Sequence, residues 1–174
     1  VVPKVEDTAA LLQLHKTWPG LDLYPMIESA RGLAGLAGIC AAPGVRAVIF
    51  GSLDFALDIN AHGDQALLLA RSRIVLESRL AGIEMPVDGI TPGFEDLGPL
   101  QRDAQNAREL GFGGKTCIHP RQVALVNEVF APTEEERAWA IKVITAATEG
   151  GAVAVDGSMV DRPVILRARR ILEP

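Results

Sequence analysis

Cysteine is scarce in this chain: two residues among 174, Cys40 and Cys117, set in unrelated contexts. Such a pair makes no disulfide framework and lacks metal-ligand spacing, so a reducing cytoplasm is the simplest home. Long apolar runs are missing too. None approaches the roughly 18 residues of a membrane-spanning helix, and no signal-peptide pattern opens the chain. Positive charge is not in excess either. A formal net charge of −5 argues against a general nucleic-acid surface, while leaving room for one phosphorylated small molecule. A phosphate loop is absent as well. Gly114-Lys115-Thr116 invites that reading, but Glu109 stands where the motif wants a glycine, and Lys115 begins a strand rather than following one.

What is present is a globular core. With 48% hydrophobic and 22% charged residues, the chain can bury substantial apolar surface and is not disordered. It opens on Val1-Val2-Pro3-Lys4-Val5, without an initiator methionine and already strand-like, which predicts the later part of a longer polypeptide. From there one rhythm repeats. Strand candidates start near residues 1, 22, 46, 85 and 115, and helical patterns cover 7–16, 29–41, 61–81, 94–110 and 121–130. Asp7 or Thr8 would cap the first helix, and Gly82 and Gly111 would close two of the others. These are βα units, and nothing reads as a hairpin. The spacing suits a (β/α)8 barrel or a doubly wound, flavodoxin-like sheet. A barrel typically needs about 250 residues and would place about three strands upstream. Periodicity alone leaves both open.

The tail, 131–174, differs from the body. Glu134-Glu135-Glu136 opens a helix that runs to Gly150-Gly151, residues 152–160 resemble a small β-turn element, and an Arg-rich helix over 163–172 closes the chain. Such an arm could pack on its own subunit or reach a neighbour.

The organising stretch is 45–58 (VRAVIFGSLDFALD), an apolar strand bounded by Pro43-Gly44 and Gly51-Ser52, with Asp54 just past its carboxyl end. Glu28 holds the equivalent place one unit earlier. Ligands and catalytic side chains collect at the carboxyl ends of parallel strands. Two acids there suit a hard divalent cation such as Mg2+, held by one or two carboxylates plus water and substrate oxygens. The plainer alternative is that Asp54 caps the following helix and Glu28 pairs with Arg31. His119 stands at a strand end before Pro120, as a proton carrier or, more commonly, a helix cap. Asp161 reads as the N-cap of the last helix. His15 and His62 read as surface residues. Lys4, Arg71 and Arg73 are either phosphate contacts or solvated charges.

Four segments together, 23–32 (LYPMIESARG), 50–54 (FGSLD), 113–122 (GGKTCIHPRQ) and 157–163 (GSMVDRP), resemble the citrate lyase beta-subunit-like group of the HpcH/HpaI aldolase superfamily. Residues 1–5 look like that family's fourth barrel strand, and 87–90 (VDGI) like its seventh. The resemblance implies an α/β TIM barrel of the phosphoenolpyruvate/pyruvate-binding type. Residues 1–130 would supply strands 4 to 8, the first three strands would lie outside this chain, and 131–174 would form a C-terminal arm or lid. These residues alone would leave the barrel unclosed and would not fold stably or act by themselves. The resemblance further implies a Mg2+-dependent carbon–carbon lyase acting on a 3-hydroxy-3-carboxyalkyl thioester of coenzyme A, citryl-, citramalyl- or malyl-CoA. Glu28 and Asp54 would hold the metal and, through it, the substrate. Asp161 would act as acid/base in a neighbouring subunit's site, so a homo-oligomer, a trimer or hexamer, is expected. An arginine that the family supplies from an early strand would lie outside this chain. One departure is Leu53, where the family often carries an acid, a change that could alter substrate preference. A CoA-independent 2-keto-3-hydroxy acid aldolase and a non-catalytic thioester-binding subunit are the alternatives. The presence of Glu28, Asp54 and Asp161 disfavours the second of these.

Overall fold

A computed structural model of the chain describes residues 1–149 and 154–173. They divide into two compact units, Val1–Phe130 and Ala131–Pro174. In the first, strands β1 (Met26–Ile27), β2 (Ile49–Phe50), β3 (Val87–Asp88) and β4 (Gly114–Lys115) lie side by side in that order, all parallel. Val2 extends the same direction by a parallel bridge to Pro25. Helix α1 (Ala9–Thr17) precedes β1, and α2 (Ala30–Ala34) and α3 (Leu36–Cys40) lead to β2. Then α4 (Ser52–Asp58) and α5 (Asp64–Ala81) lead to β3, α6 (Gly98–Leu110) to β4, and α7 (Pro120–Phe130) follows. Every βα unit adds its strand on the same side. A doubly wound sheet would reverse at a switch point, so the order is that of a barrel wall.

Paired strands are shorter than the apolar pattern predicts. Pro3, Pro25 and Pro86 lack the N–H that would extend the ladder beside them. The helix expected over 29–41 is broken at Gly35. Its glycines press the segment against the preceding loop: a Cβ would sit 2.6 Å from the Val5 carbonyl at Gly32, and 2.7 Å from the Glu6 carbonyl at Gly35. His15, expected at the surface, is half-buried. Its ring fits against Gly44, where φ is +83° and a Cβ would lie 2.7 Å from Nδ1.

Register aligns Ile27 with Phe50 and Asp88 with Lys115 in one row facing the helices. Phe50 packs edge-on against Phe55 of α4, with ring centroids 5.3 Å apart. The other half of the row is ionic. Lys115 Nζ donates to Asp88 Oδ2 at 3.1 Å and to the Gly89 carbonyl at 2.7 Å. Arg71 of α5 donates from Nε to Asp88 Oδ1 at 3.0 Å, with its guanidinium 5.7 Å from the Phe50 ring centre. Arg71 is thus a half-buried ion-pair partner rather than a solvated charge. Cys40 is buried too, and desolvation, with Glu77 nearby, pushes its thiol up to about 11.

In the second unit α8 (Glu134–Glu149) packs against α9 (Arg162–Leu172) around Ala140, Val143 and Ala168. Thr133 and Glu136 form a reciprocal capping box at the start of α8. Between the helices β5 (Ala154–Val155) pairs antiparallel with β6 (Ser158–Met159). Asp156 and Gly157, both at positive φ, make the turn that hairpins favour. The parts of that expected element at Ala152 and Val153, and the expected stop at Gly150-Gly151, lie outside the described residues. Among the described residues no helix is long and apolar enough to cross a membrane.

The ionic triad generates a stability prediction. Both side chains of the Asp88–Lys115 pair are 1% exposed, so Asp88→Leu strands a buried ammonium and should cost about 3–5 kcal/mol in urea unfolding. Adding Lys115→Met should recover much of that loss. An additive double variant would contradict the triad.

Candidate metal centre

One residue beyond the Ile27–Phe50–Asp88–Lys115 row, side chains turn to the opposite face. The residues there are Glu28, Gly51, Gly89 and Thr116. Glu28 lies across Gly51: a Cβ at 51 would collide with the Glu28 Cγ and stand 3.1 Å from Oε1. Gly51 has φ −84°, open to any residue, so this glycine is required for space. A Cβ on Gly89 would likewise collide with Ser52 Oγ and lie 2.9 Å from the Phe50 carbonyl. Two missing side chains make the room in which Glu28 and Ser52 sit.

Asp54 enters from the first turn of α4 rather than from the strand tip, because that helix begins at Ser52. It caps nothing: Gly51 is the N-cap and no side-chain cap bond forms. Arg31 pairs with Glu6 at 3.7 Å, not with Glu28. The plainer alternatives for both acids are therefore not realised. Glu28 and Asp54 instead border the same two cavities, of about 370 and 230 Å³. The larger is completed by Lys4, Glu6, Ser29, Leu57 and Asp58. The smaller has an apolar rim that includes Leu53 and Ile90, with Thr116 beside them.

The electrostatics are those of two acids only partly offset by their neighbours. Burial lifts the Glu28 carboxyl above its ordinary range. The Lys4 backbone N–H, donating to Oε2 at 2.6 Å, opposes that rise, and Asp54, by hydrogen bond and by charge, adds to it. The neighbouring acids have other partners: Asp58 accepts from the Ala30 N–H at 2.7 Å, and Glu6 from Ser29 Oγ at 2.7 Å. No group of three or more His, Cys, Asp or Glu is gathered for a metal among the described residues. Two facing carboxylates with the remaining positions left to water and small-molecule oxygens suit a hard ion such as Mg2+, not the three or four nitrogen and sulfur ligands of zinc.

Other sequence candidates take structural roles here. His119 Nδ1 accepts from the Arg121 N–H at 3.2 Å, and its ring stacks on Phe94 with centroids 4.3 Å apart. Asp161 is the N-cap of α9, accepting from the Val164 N–H at 3.1 Å, and belongs to the second unit. Sequence reasoning missed Gln122, which is fully buried. Its Oε1 accepts from the Ile118 and His119 N–H groups, and its Nε2 donates to the Thr91 and Gly93 carbonyls. It stitches together the loops after β3 and β4, whose Ile90 and Thr116 border the acids. Its place just after His119-Pro120 was the available signal.

Residues 1–120 match the family model described as HpcH/HpaI aldolase/citrate lyase, and 83–173 match that of a C–C bond lyase of the TIM-barrel fold. A citrate lyase subunit beta-like protein of Deinococcus radiodurans is 35% identical over 99% of this chain and 64% of its own length. The mitochondrial citramalyl-CoA lyase of Rattus norvegicus is also 35% identical, over 99% of this chain and 59% of its own. The chain thus spans less than two thirds of these relatives. Among solved structures, CitE of Mycobacterium tuberculosis in complex with magnesium, acetoacetate and coenzyme A superposes with a TM-score of 0.83 at 29% identity, covering 97% of this chain and 65% of that one. The architecture is accordingly an α/β TIM-barrel fold.

The seating of Glu28 on Gly51 is directly testable. If Glu28 is a metal ligand, Gly51→Ala should weaken Mn2+ binding by about tenfold or more, because the displaced carboxylate loses its geometry, while the urea midpoint moves little. Unchanged Mn2+ affinity would contradict the packing.

Proposed function

The chain belongs to the HpcH/HpaI aldolase/citrate lyase family, and from that membership we propose a Mg2+-dependent carbon–carbon lyase of 3-hydroxy-3-carboxyalkyl thioesters of coenzyme A. The observation that carries the proposal is the Glu28 carboxylate seated over Gly51 and facing Asp54. Citryl-, citramalyl- and malyl-CoA are the substrate candidates. The names of the rat relative and of the tuberculosis complex, with its magnesium and coenzyme A, support that class.

Bound by Glu28 and Asp54, Mg2+ would supply Lewis acidity toward the substrate's carboxylate and hydroxyl oxygens. The chain's own residues do the rest of the positioning. The Lys4 N–H donates to Glu28 Oε2, and the rim of Leu53, Ile90 and Thr116 borders the space beside the acids. Leu53, apolar where an acid is frequent, would bias the choice of substrate. In the reaction the hydroxyl gives up its proton as the carbon–carbon bond breaks. The bonding pair passes to the thioester enolate, which takes up a proton to become acetyl-CoA, and the keto acid leaves.

Asp161 is our choice for the acid/base that returns the proton, delivered from a neighbouring subunit of a homotrimer or hexamer. Its N-cap bond anchors the carboxylate at the head of α9. The unpaired cysteines fit a cytoplasmic setting.

Incubation with the three thioesters, with Mg2+ or with EDTA, should release acetyl-CoA from one of them in a metal-dependent way. Glu28→Ala and Asp54→Ala should each abolish the release. Mixed oligomers of Glu28→Ala and Asp161→Ala subunits should regain about a quarter of the activity by random pairing of intact halves. No turnover of any thioester by the assembled oligomer would sink the lyase reading in favour of a free-acid aldolase or a binding subunit. Absence of complementation would sink the role of Asp161.

A further inference from the structure

The entry of the chain into the sheet is irregular in one place. The Val2 N–H donates to the Tyr24 carbonyl at 2.9 Å, and the Met26 N–H donates to the Val2 carbonyl at 2.8 Å, as in a parallel ladder. The next rung should come from the Lys4 N–H to the Met26 carbonyl. Instead the Val5 N–H makes it, at 3.2 Å and one residue late. Lys4 is left over as a bulge with φ +51°, a left-handed conformation usually given to glycine. Its released N–H donates to Glu28 Oε2 at 2.6 Å. Strained backbone of this kind persists where the surroundings hold it, and it clusters at functional sites.

We infer that Lys4 is a positioning residue whose bulged backbone N–H orients the Glu28 carboxylate toward Asp54 and thereby sets the affinity of the site for a divalent cation. The metal part rests on the reading of Glu28 as a ligand; the orientation of Glu28 does not. Its neighbours fit the role. Gly51 leaves the space into which the held carboxylate is turned.

Two variants separate the backbone from the ammonium. Lys4→Gly keeps the N–H and the left-handed conformation while removing the charge. Lys4→Val keeps an N–H but, being β-branched, resists that conformation. In the purified, metal-free protein, the residue-4 amide should be shifted downfield and slow to exchange in the wild type and in Lys4→Gly. It should move in Glu28→Gln and lose both signatures in Lys4→Val. Mn2+, followed by electron paramagnetic resonance, should bind Lys4→Gly within about threefold of wild type and Lys4→Val about tenfold or more weakly, with thermal unfolding recorded for both.

A residue-4 amide indifferent to Glu28→Gln overturns the inference, as does Lys4→Val binding Mn2+ like wild type. Equal weakening in both variants overturns the backbone role in favour of the ammonium. A wild type that shows the amide signature but binds no Mn2+ supports the orientation of Glu28 and refutes only the metal reading.

Discussion

The strict alternation of side chains along parallel strands is the constraint on which the rest depends. At one level the row Ile27, Phe50, Asp88, Lys115 faces the helices. One residue on, the row Glu28, Gly51, Gly89, Thr116 faces the other way. A one-residue slip would exchange the two rows. It would drive the Glu28 carboxylate into the helix layer and expose Phe50. The buried pair of Asp88 and Lys115 opposes such a slip chemically, since each charge would lose its partner. The register that buries the core thus also presents the acids.

Burying one acid beside another carries a cost: burial first, and Asp54 after it, raise the titration of Glu28. The fold meets it with local devices, to which the charge of Lys4 adds. Gly51 supplies the volume, the left-handed Lys4 supplies a backbone donor, and the remaining acids of the larger cavity are held in bonds to Ala30 and Ser29. Gln122 fixes the opposite loops by satisfying all four of its hydrogen bonds without access to water. Lys4 only partly offsets the negative charge of the pair, which a divalent cation would neutralise further.

Some of this was legible in the sequence. The βα rhythm gave the alternation and order of the main elements, though residues 1–5 pair only by a bridge at Val2 and the separate helix α4 lies outside the predicted helical ranges, and Gly82 and Gly111 mark helix ends where expected. The choice between barrel and doubly wound sheet was not legible from periodicity, because it lies in strand order. The two acids were legible because strand ends are where parallel sheets place such groups. The bonds that orient them were not. Gly51 acts on a side chain 23 positions earlier, and Lys4 acts on one 24 positions later. Arg71, Asp88 and Lys115 come from three separate elements, so Arg71 reads locally as one more surface cation. The helix over 29–41 was over-read because its glycines serve close approach to residues 5 and 6. Asp161 reads as the N-cap of the last helix, and it is one.

The central claim is that Glu28 and Asp54 together hold a divalent cation at the carboxyl edge of the sheet. Anomalous diffraction from crystals of the assembled protein soaked in Mn2+ tests it most directly. The account predicts one strong peak within bonding distance of both carboxylates, lost in crystals of Asp54→Asn. Full occupancy at any other cluster, or a peak that survives that substitution, would contradict it.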